Sequence, residues 1–211
     1  MKRLGLARAK DDAMSRAVLA AGWEPVPFFV TALEATGAEP PDGQADAVLL
    51  LSPAAARFAR IPRGLPCLAQ GDGTAAALGG REALVAGRPS AEGLAGLLRE
   101  RFPAGGRFLL ARGERSREHL EEAFLGTPWE ILPWITHRER ALDPPPPLEG
   151  LDAVLALSPL QAEVLGPLSA GVLRLAWGER THRAFLESGY PSEAWCEPGL
   201  PALQRLLLSR G

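Results

Sequence analysis

Short apolar runs alternate along the chain with stretches of helical periodicity. This alternation is typical of a parallel sheet whose strands are joined by crossover helices. The first half has apolar runs over about 4–7 and 25–30 and a helical stretch over about 11–21, and the second half has runs over 107–111 and 129–135 and a helical stretch over about 116–125. We therefore predict an α/β fold built on parallel sheets.

The two halves are related by an internal repeat. Residues 46–53 read DAVLLLSP and residues 152–159 read DAVLALSP, with seven of eight positions identical at an offset of 106. Three shorter pairs occur in the same order at nearly this offset: Leu6-Ala7-Arg8 with Leu110-Ala111-Arg112, Trp23-Glu24 with Trp129-Glu130, and Gly71-x-x-Thr74 with Gly178-x-x-Thr181. Such similarity indicates a duplication, and we predict two copies of about 105 residues.

The repeated DAVLxLSP segment predicts a buried strand that runs directly into a helix. Its apolar positions are nearly continuous, as in strands covered on both faces. The serine that follows, Ser52 or Ser158, is suited to cap a helix that has proline at its first position. We expect each of these helices to begin at the carboxyl edge of its sheet.

A second apolar run in each copy ends in a Gly-x-x-Thr turn. Glycine at 71 and 178 permits a tight turn, and Thr74 and Thr181 are predicted to cap helices over 75–78 and 182–186. Ligands of α/β proteins bind at the edge formed by the carboxyl ends of the strands. We expect two such edges to face each other across a cleft.

Composition and charge argue against a nucleic-acid-binding protein and against a membrane protein. The chain has 211 residues, is 46% hydrophobic and carries a formal net charge of −2, so it has no basic excess with which to bind nucleic acid. No apolar stretch approaches the ~20 residues that span a bilayer, and the first ten residues do not resemble a signal peptide. We expect a cytoplasmic protein with no membrane association, and a monomer. Cys67 and Cys196 are interpreted as buried apolar residues.

Motifs for metal, nucleotide or nucleophilic chemistry are absent from the sequence. The three histidines, His119, His137 and His182, have no metal-ligand spacing, and His119 is interpreted as part of a solvated helix face. What remains is a set of helix N-termini, which hold anions through backbone N–H groups. Arginines follow the strands at Arg8, Arg112 and Arg115. These features fit a polyanionic ligand, the alternative being that the hydroxyls only cap helices and the arginines are solvated.

Several segments together carry a resemblance to a known family. They are LAR (6–8), DAVLLLSP (46–53), GDGTAAAL (71–78), SAEGLAGLL (90–98), FLLARGERSREHL (108–120), DAVLALSPLQAEVL (152–165) and GERTHRAFLESG (178–189). Their order and spacing, more than any one motif, resemble uroporphyrinogen III synthases. The resemblance implies two similar flavodoxin-like α/β domains joined by a two-stranded connector. One domain would comprise residues 1–31 with 138–211 and the other residues 32–137, with connector strands near 30–36 and 135–140.

The resemblance also implies an activity. Members of this family are lyases that close the linear tetrapyrrole hydroxymethylbilane to uroporphyrinogen III, with loss of water and inversion of ring D through a spiro intermediate. The substrate carries eight carboxylates, which fits the anion-binding edges described above. Unaided closure leaves ring D uninverted, so such an enzyme must hold the chain in one shape. No metal or organic cofactor is expected.

The resemblance carries the family's functional residues over to the threonines Thr74 and Thr181 and to the serines Ser52 and Ser158. Together with the glycines and arginines singled out above, they give the predicted site: catalysis would involve Thr181 and His137, and the substrate would contact Arg8, Ser52, Gly71, Thr74, Arg112, Arg115, Ser158 and Gly178. The family usually has a tyrosine, beside the leaving hydroxyl, where the second connector strand starts; this chain has His137 there, and its only tyrosine is Tyr190. An imidazole N–H donates a hydrogen bond in either charge state, so His137 is the candidate replacement, the alternative being a surface histidine.

Two other functions stay open on the sequence alone. The chain is short for the family and its linkers are trimmed. These departures and the missing tyrosine fit a catalytically silent homologue that binds a tetrapyrrole or another anionic small molecule. A two-domain sensor whose cleft closes on a small ligand would have the same architecture.

Overall fold

The computed structural model describes residues 1–9, 12–116 and 119–210. In chain order its elements are β1 (Lys2–Leu6), α1 (Ala13–Ala20), β2 (Trp23–Pro27), β3 (Thr31–Ala35), β4 (Ala47–Leu50), α2 (Pro53–Phe58), β5 (Cys67–Ala69), α3 (Asp72–Ala76), β6 (Leu84–Val85), α4 (Ala91–Arg101), β7 (Gly106–Gly113), α5 (His119–Phe124), β8 (Trp129–Ala141), β9 (Ala153–Ala156), α6 (Pro159–Leu168), β10 (Leu173–Trp177), α7 (Glu179–Glu187), β11 (Ala194–Cys196) and α8 (Leu200–Leu208). Residue 11 and residues 117–118, at the predicted starts of two helices, lie outside the described residues.

The chain divides into two compact units. Unit 1 consists of Met1–Ala32 with Arg140–Gly211, and unit 2 consists of Leu33–Glu139. The chain passes from one unit to the other within β3 and returns within β8, so both crossings lie in extended strands.

Unit 1 is built on a five-stranded sheet with the order β11-β10-β9-β1-β2. All four strand pairs are parallel. One face of the sheet packs on a cluster that includes Leu4, Leu155 and Leu203, and the other on a cluster that includes Val154 and Phe185. Alternate residues of β9 therefore enter opposite cores, as expected of a strand with two buried faces.

Unit 2 contains the six-stranded order β3-β8-β7-β4-β5-β6, in which the pairs from β8 to β6 are parallel. In β4, Ala47 and Leu49 enter the core on one face, and Val48 and Leu50 enter the core on the other. The predicted α/β fold class with two similar parallel sheets is therefore confirmed.

The two sheets have the same strand order once the repeat is taken into account. β1 and β2 of the first copy lie beside β9, β10 and β11 of the second, whereas β7 and β8 of the second copy lie beside β4, β5 and β6 of the first. Each unit thus combines the opening strands of one copy with the remaining strands of the other. Such an exchange preserves all strand neighbours, because the duplicated segments present the same pattern of buried side chains.

The helices that cover the sheets are short. The longest described one, α4, has 11 residues. Within the described ranges, no helix has the length and apolar character needed to cross a membrane.

Candidate functional site

The carboxyl edge of the sheet in unit 2 brings together several residues predicted to act. Ser52 follows β4, Gly71 follows β5, Arg112 lies near the end of β7, and His137 lies beside it in β8. These strands are parallel neighbours, so their carboxyl ends share one edge. The repeat alone did not predict that His137 would be part of this group.

His137 is a buried polar side chain at this edge. It is only 8% exposed, although its imidazole is a polar ring. The ring of Phe58, at the end of α2, stacks on it with a centroid distance of 5.6 Å and an interplanar angle of 22°. On the neighbouring strand, a β-carbon at Gly113 would lie 2.9 Å from Nε2. Phe58 and Gly113 therefore define the space that the imidazole occupies, which contradicts the alternative of a surface histidine.

An irregularity in the β7–β8 pairing sets the direction of the His137 side chain. Arg112 pairs with Ile135 and Gly113 pairs with His137, so Thr136 is an extra residue in β8, as in a β-bulge. The Thr136 hydroxyl lies 3.0 Å from Nδ1 of His137 and 3.4 Å from the carbonyl oxygen of Arg112. In a regular strand adjacent side chains point to opposite faces; the bulge permits these two to meet.

Burial also affects the protonation of His137. Desolvation lowers the pKa of its imidazole below the ordinary value of 6.5, because the charged form loses hydration in this environment. The ring is therefore neutral at pH 7. Nδ1 is engaged with Thr136, and Nε2 makes no hydrogen bond with any residue that the structure describes.

Arg112 is held within the protein. Its guanidinium Nε lies 2.9 Å from a carboxylate oxygen of Glu121, and the side chains are 8% and 18% exposed. The contact is an ion pair whose angle departs from that of a hydrogen bond. Nη1 of Arg112 also donates to the carbonyl of Ser116, 3.3 Å away. The charge of Arg112 is thus largely compensated, whereas Arg115 is exposed.

The carboxyl edge of unit 1 carries the corresponding residues of the repeat. Arg8 follows β1 and is exposed, Ser158 follows β9, and Gly178 follows β10. These three strands are parallel neighbours. At the repeat offset of 106, the position that corresponds to His137 is occupied by Thr31.

The Ser-Pro turns cap their helices as predicted. The Ser52 hydroxyl accepts a hydrogen bond from the backbone N–H of Ala55 at 3.1 Å, and the Ser158 hydroxyl accepts one from Gln161 at 3.2 Å. Proline has no N–H at the first position of either helix. Among the first three residues of each helix, only the second retains a backbone N–H for an external anion.

The Gly-x-x-Thr turns differ from the prediction. Thr74 and Thr181 do not cap helices; the cap positions are Gly71 and Gly178, neither of which supplies a side-chain hydrogen bond. The threonines are the third helical residues, 5% and 3% exposed. The prediction was wrong because each helix begins three residues earlier than expected, directly after Gly71 or Gly178. Of these two glycines, only Gly178, with φ of +90°, has a backbone conformation that favours glycine.

The start of α7 offers an anion more free backbone N–H groups than the start of α6 does. With no side-chain cap, the backbone N–H groups of Glu179, Arg180 and Thr181 point out of the helix end. The carboxylate of Glu179, at the first helical position, would repel a bound anion. This carboxylate is paired with the guanidinium of Arg183 at 2.8 Å. The start of α3 is less favourable, since Asp72 takes the first position and Thr74 N–H is bonded to the carbonyl of Gly71.

The described side chains contain no cluster of three or more His, Cys, Asp or Glu residues able to hold a metal ion. The side chain of His119 lies outside the described residues. Tyr190 is 40% exposed and packs against Gly166 at the far end of α7 from Thr181. The helix N-termini at these two edges can bind anions through backbone N–H groups. Nε2 of His137 can make one hydrogen bond to a ligand.

Comparison with known proteins assigns the chain to a family. The family model described as uroporphyrinogen-III synthase HemD matches residues 12–192. The chain belongs to the uroporphyrinogen-III synthase family. The matched range includes both Ser-Pro turns, both Gly-x-x-Thr turns and His137 of this family member, whereas Arg8 lies outside it. A search among curated proteins gave no significant match.

A solved synthase structure shares the fold of this family member. Uroporphyrinogen-III synthetase from Helicobacter pylori aligns over 100% of both chains with a TM-score of 0.64 and 15% identity. A mutant uroporphyrinogen III synthase from the extremely thermophilic bacterium Thermus thermophilus aligns over 100% of both chains with a TM-score of 0.47 and 20% identity. At 15% identity, the likeness to the Helicobacter pylori structure shows the fold alone.

Three residues of the His137 environment were missed by sequence reasoning. Phe58, Gly113 and Thr136 contact the imidazole, yet none belongs to a motif of catalytic spacing. The repeat contained one available signal, because Gly113 directly follows the repeated Leu-Ala-Arg segment. Nothing in the sequence indicated the bulge at Thr136.

Proposed function

We propose that this protein is a uroporphyrinogen III synthase, a lyase that converts hydroxymethylbilane to uroporphyrinogen III with loss of water and inversion of ring D. The observation that carries the proposal is the family match over residues 12–192. The fold supports it, since both units place helix N-termini at the carboxyl edges of parallel sheets.

The chemistry of the site supports an anionic tetrapyrrole as substrate. Carboxylates bind at exposed backbone N–H groups, which α7 supplies from its first three residues and α2 and α6 each supply from their second. Arg8 and Arg115 add exposed cations. Arg112 contributes to the site by holding the Ser116 carbonyl, because its own charge is paired with Glu121.

We assign the reacting part of the substrate to the neighbourhood of His137. Its Nε2 is the one ring nitrogen of that residue left without a partner among the described residues. Thr181, buried at the start of α7, is the second candidate catalytic residue. The reaction requires no metal or organic cofactor in this scheme.

The activity is tested with the purified full chain and freshly generated hydroxymethylbilane. The type III porphyrinogen is expected as the main product, separated from type I by chromatography after oxidation. Product ratios equal to those of the enzyme-free control would contradict the proposal. His137→Phe, which retains an aromatic ring beside Phe58, is expected to lower kcat, whereas Thr127→Val, an exposed change beyond α5, serves as the matched control.

A catalytically silent homologue is the second candidate function. The observation that favours it is the histidine at the position where the family usually has tyrosine, with Tyr190 placed elsewhere. Such a protein would bind a polycarboxylate tetrapyrrole, measured by calorimetry with uroporphyrin as the probe, while leaving the isomer ratio of the closure products unchanged.

A further inference from the structure

The hydroxyl of Thr136 lies between two groups and has one proton to donate. On one side is the carbonyl oxygen of Arg112 at 3.4 Å, which can only accept a hydrogen bond. On the other side is Nδ1 of His137 at 3.0 Å, which donates or accepts according to the tautomer. The direction of one hydrogen bond therefore determines the direction of the other.

Two proton arrangements are possible for a neutral ring. If Nδ1 carries the proton, it donates to the Thr136 hydroxyl, which donates to the Arg112 carbonyl, and both contacts are hydrogen bonds. If Nε2 carries the proton, the hydroxyl must donate to Nδ1, and two oxygen lone-pair regions face each other at 3.4 Å. Thr136 and His137 are 2% and 8% exposed, so an unmade polar contact is costly here.

The tautomer also determines what Nε2 offers to a ligand. Nε2 has no hydrogen-bond partner among the described residues, and it is not one of their fully buried polar atoms that lack a partner, so it is open to solvent. With the proton on Nδ1, the nitrogen near Gly113 presents a lone pair and no donor.

We propose that Thr136 is a positioning residue that fixes the Nδ1–H tautomer of His137, so that Nε2 accepts a hydrogen bond from a pyrrole N–H of the substrate. The second half of this inference rests on the proposed function. The family-based expectation assigned the opposite role, donation of a hydrogen bond to the leaving hydroxyl. The hydrogen bonds of Thr136 instead favour a His137 ring whose Nε2 accepts a hydrogen bond.

An acceptor at this place assists the loss of water. The C–O bond of the hydroxymethyl group breaks, the oxygen leaves with the electron pair, and a proton from solvent converts it to water. The pyrrole ring that carried the group becomes a cation whose positive charge extends to its N–H. A neutral Nε2 stabilises that cation by accepting the N–H hydrogen bond, which becomes stronger as the charge develops.

The tautomer is tested without substrate by NMR of the full chain labelled with 15N-histidine, above pH 7. Protonated and bare ring nitrogens have well-separated 15N shifts, and the His137→Gln spectrum assigns the residue among the three histidines. The expected result is a protonated Nδ1 in the wild type and in Thr136→Ser. Thr136→Val is expected to shift the ring toward Nε2–H, the form that histidine prefers in water. A wild-type ring protonated at Nε2, or a Val variant with unchanged shifts, would overturn the tautomer assignment.

Turnover then tests the acceptor role. Thr136→Val is expected to lower kcat at least tenfold with little change in KM, and Thr136→Ser to restore it. If the Val variant changes the tautomer while kcat stays at the wild-type value, the acceptor role is wrong. If the wild type itself gives no excess of type III product, the proposed function fails while the NMR result still decides the tautomer. A backbone amide spectrum of each variant reports whether the fold is retained.

Discussion

Gly113 and His137 share one space on neighbouring strands: a β-carbon at residue 113 would lie 2.9 Å from Nε2. The glycine is needed for its size, because its backbone is not in the left-handed region. The same imidazole stacks on Phe58, with 5.6 Å between the ring centroids. A larger residue at 113 must therefore displace an imidazole that is already packed against Phe58.

Replacing Gly113 with alanine is expected to displace the imidazole. We expect kcat for isomer III formation to fall at least tenfold, and overpacking to cost about 1–3 kcal/mol of unfolding free energy. Gly96→Ala is the matched control, since an alanine β-carbon at this exposed helix position meets nothing within 4 Å. That change is expected to stabilise α4 by roughly 0.5–1 kcal/mol without changing kcat. Equal kcat values for Gly113→Ala and the wild type would show that Nε2 of His137 takes no part in the reaction.

Thr181 is expected to matter through its hydroxyl and not as a helix cap. Thr181→Val keeps the shape of this buried side chain and removes only the polar group. We expect kcat/KM to fall about tenfold, which corresponds to the loss of one hydrogen bond of about 1.4 kcal/mol in the transition state. Thr127→Val, whose hydroxyl bonds the Phe124 carbonyl, measures the nonspecific effect of the change. A decrease no larger than in that control would exclude Thr181 from catalysis.

The ion pair between Arg112 and Glu121 is expected to stabilise the end of β7. Glu121→Gln removes the Glu121 carboxylate from a buried ion pair, and removal of one partner from a buried pair typically costs about 3–5 kcal/mol. Urea unfolding would measure the change. Glu100→Gln, which removes one partner of an exposed pair with Arg101, is expected to change the unfolding free energy by less than about 1 kcal/mol. Similar effects of the two substitutions would contradict the structural role of Glu121.

The lowered pKa of His137 makes a pH-dependent contribution to stability. The unfolded chain binds a proton at this residue near pH 6.5, whereas the folded protein resists protonation because the ring is desolvated. Stability is therefore complete above pH 6.5 and decreases as the pH falls from there toward the lower pKa of the folded state. Melting temperatures of the wild type and His137→Gln, compared from pH 8 to pH 5, measure the contribution of His137 protonation to stability. A difference between the two proteins that does not vary with pH would contradict the pKa shift.

Much of the fold follows from local patterns in the sequence. The continuous apolar runs of 47–50 and 153–156 correctly predicted strands with two buried faces, because burial on both sides leaves no polar positions. Ser52 and Ser158 were recognisable as caps, since the cap bond joins residues only three apart. The threonine caps were wrong for a related reason: both threonine and glycine can precede a helix, and spacing alone does not decide which does.

The environment of His137 was decided by tertiary structure. Local patterns along the chain were sufficient to predict the class of sheet, the repeat and two helix starts, because each depends on short stretches of sequence. Only the fold brings Phe58 and Gly113 against His137, and only the bulge at Thr136 places adjacent side chains within hydrogen-bonding distance. The pairing of Arg112 with Glu121 likewise depends on where α5 packs. Contacts of this kind depend on strand register and packing, which short-range patterns do not specify.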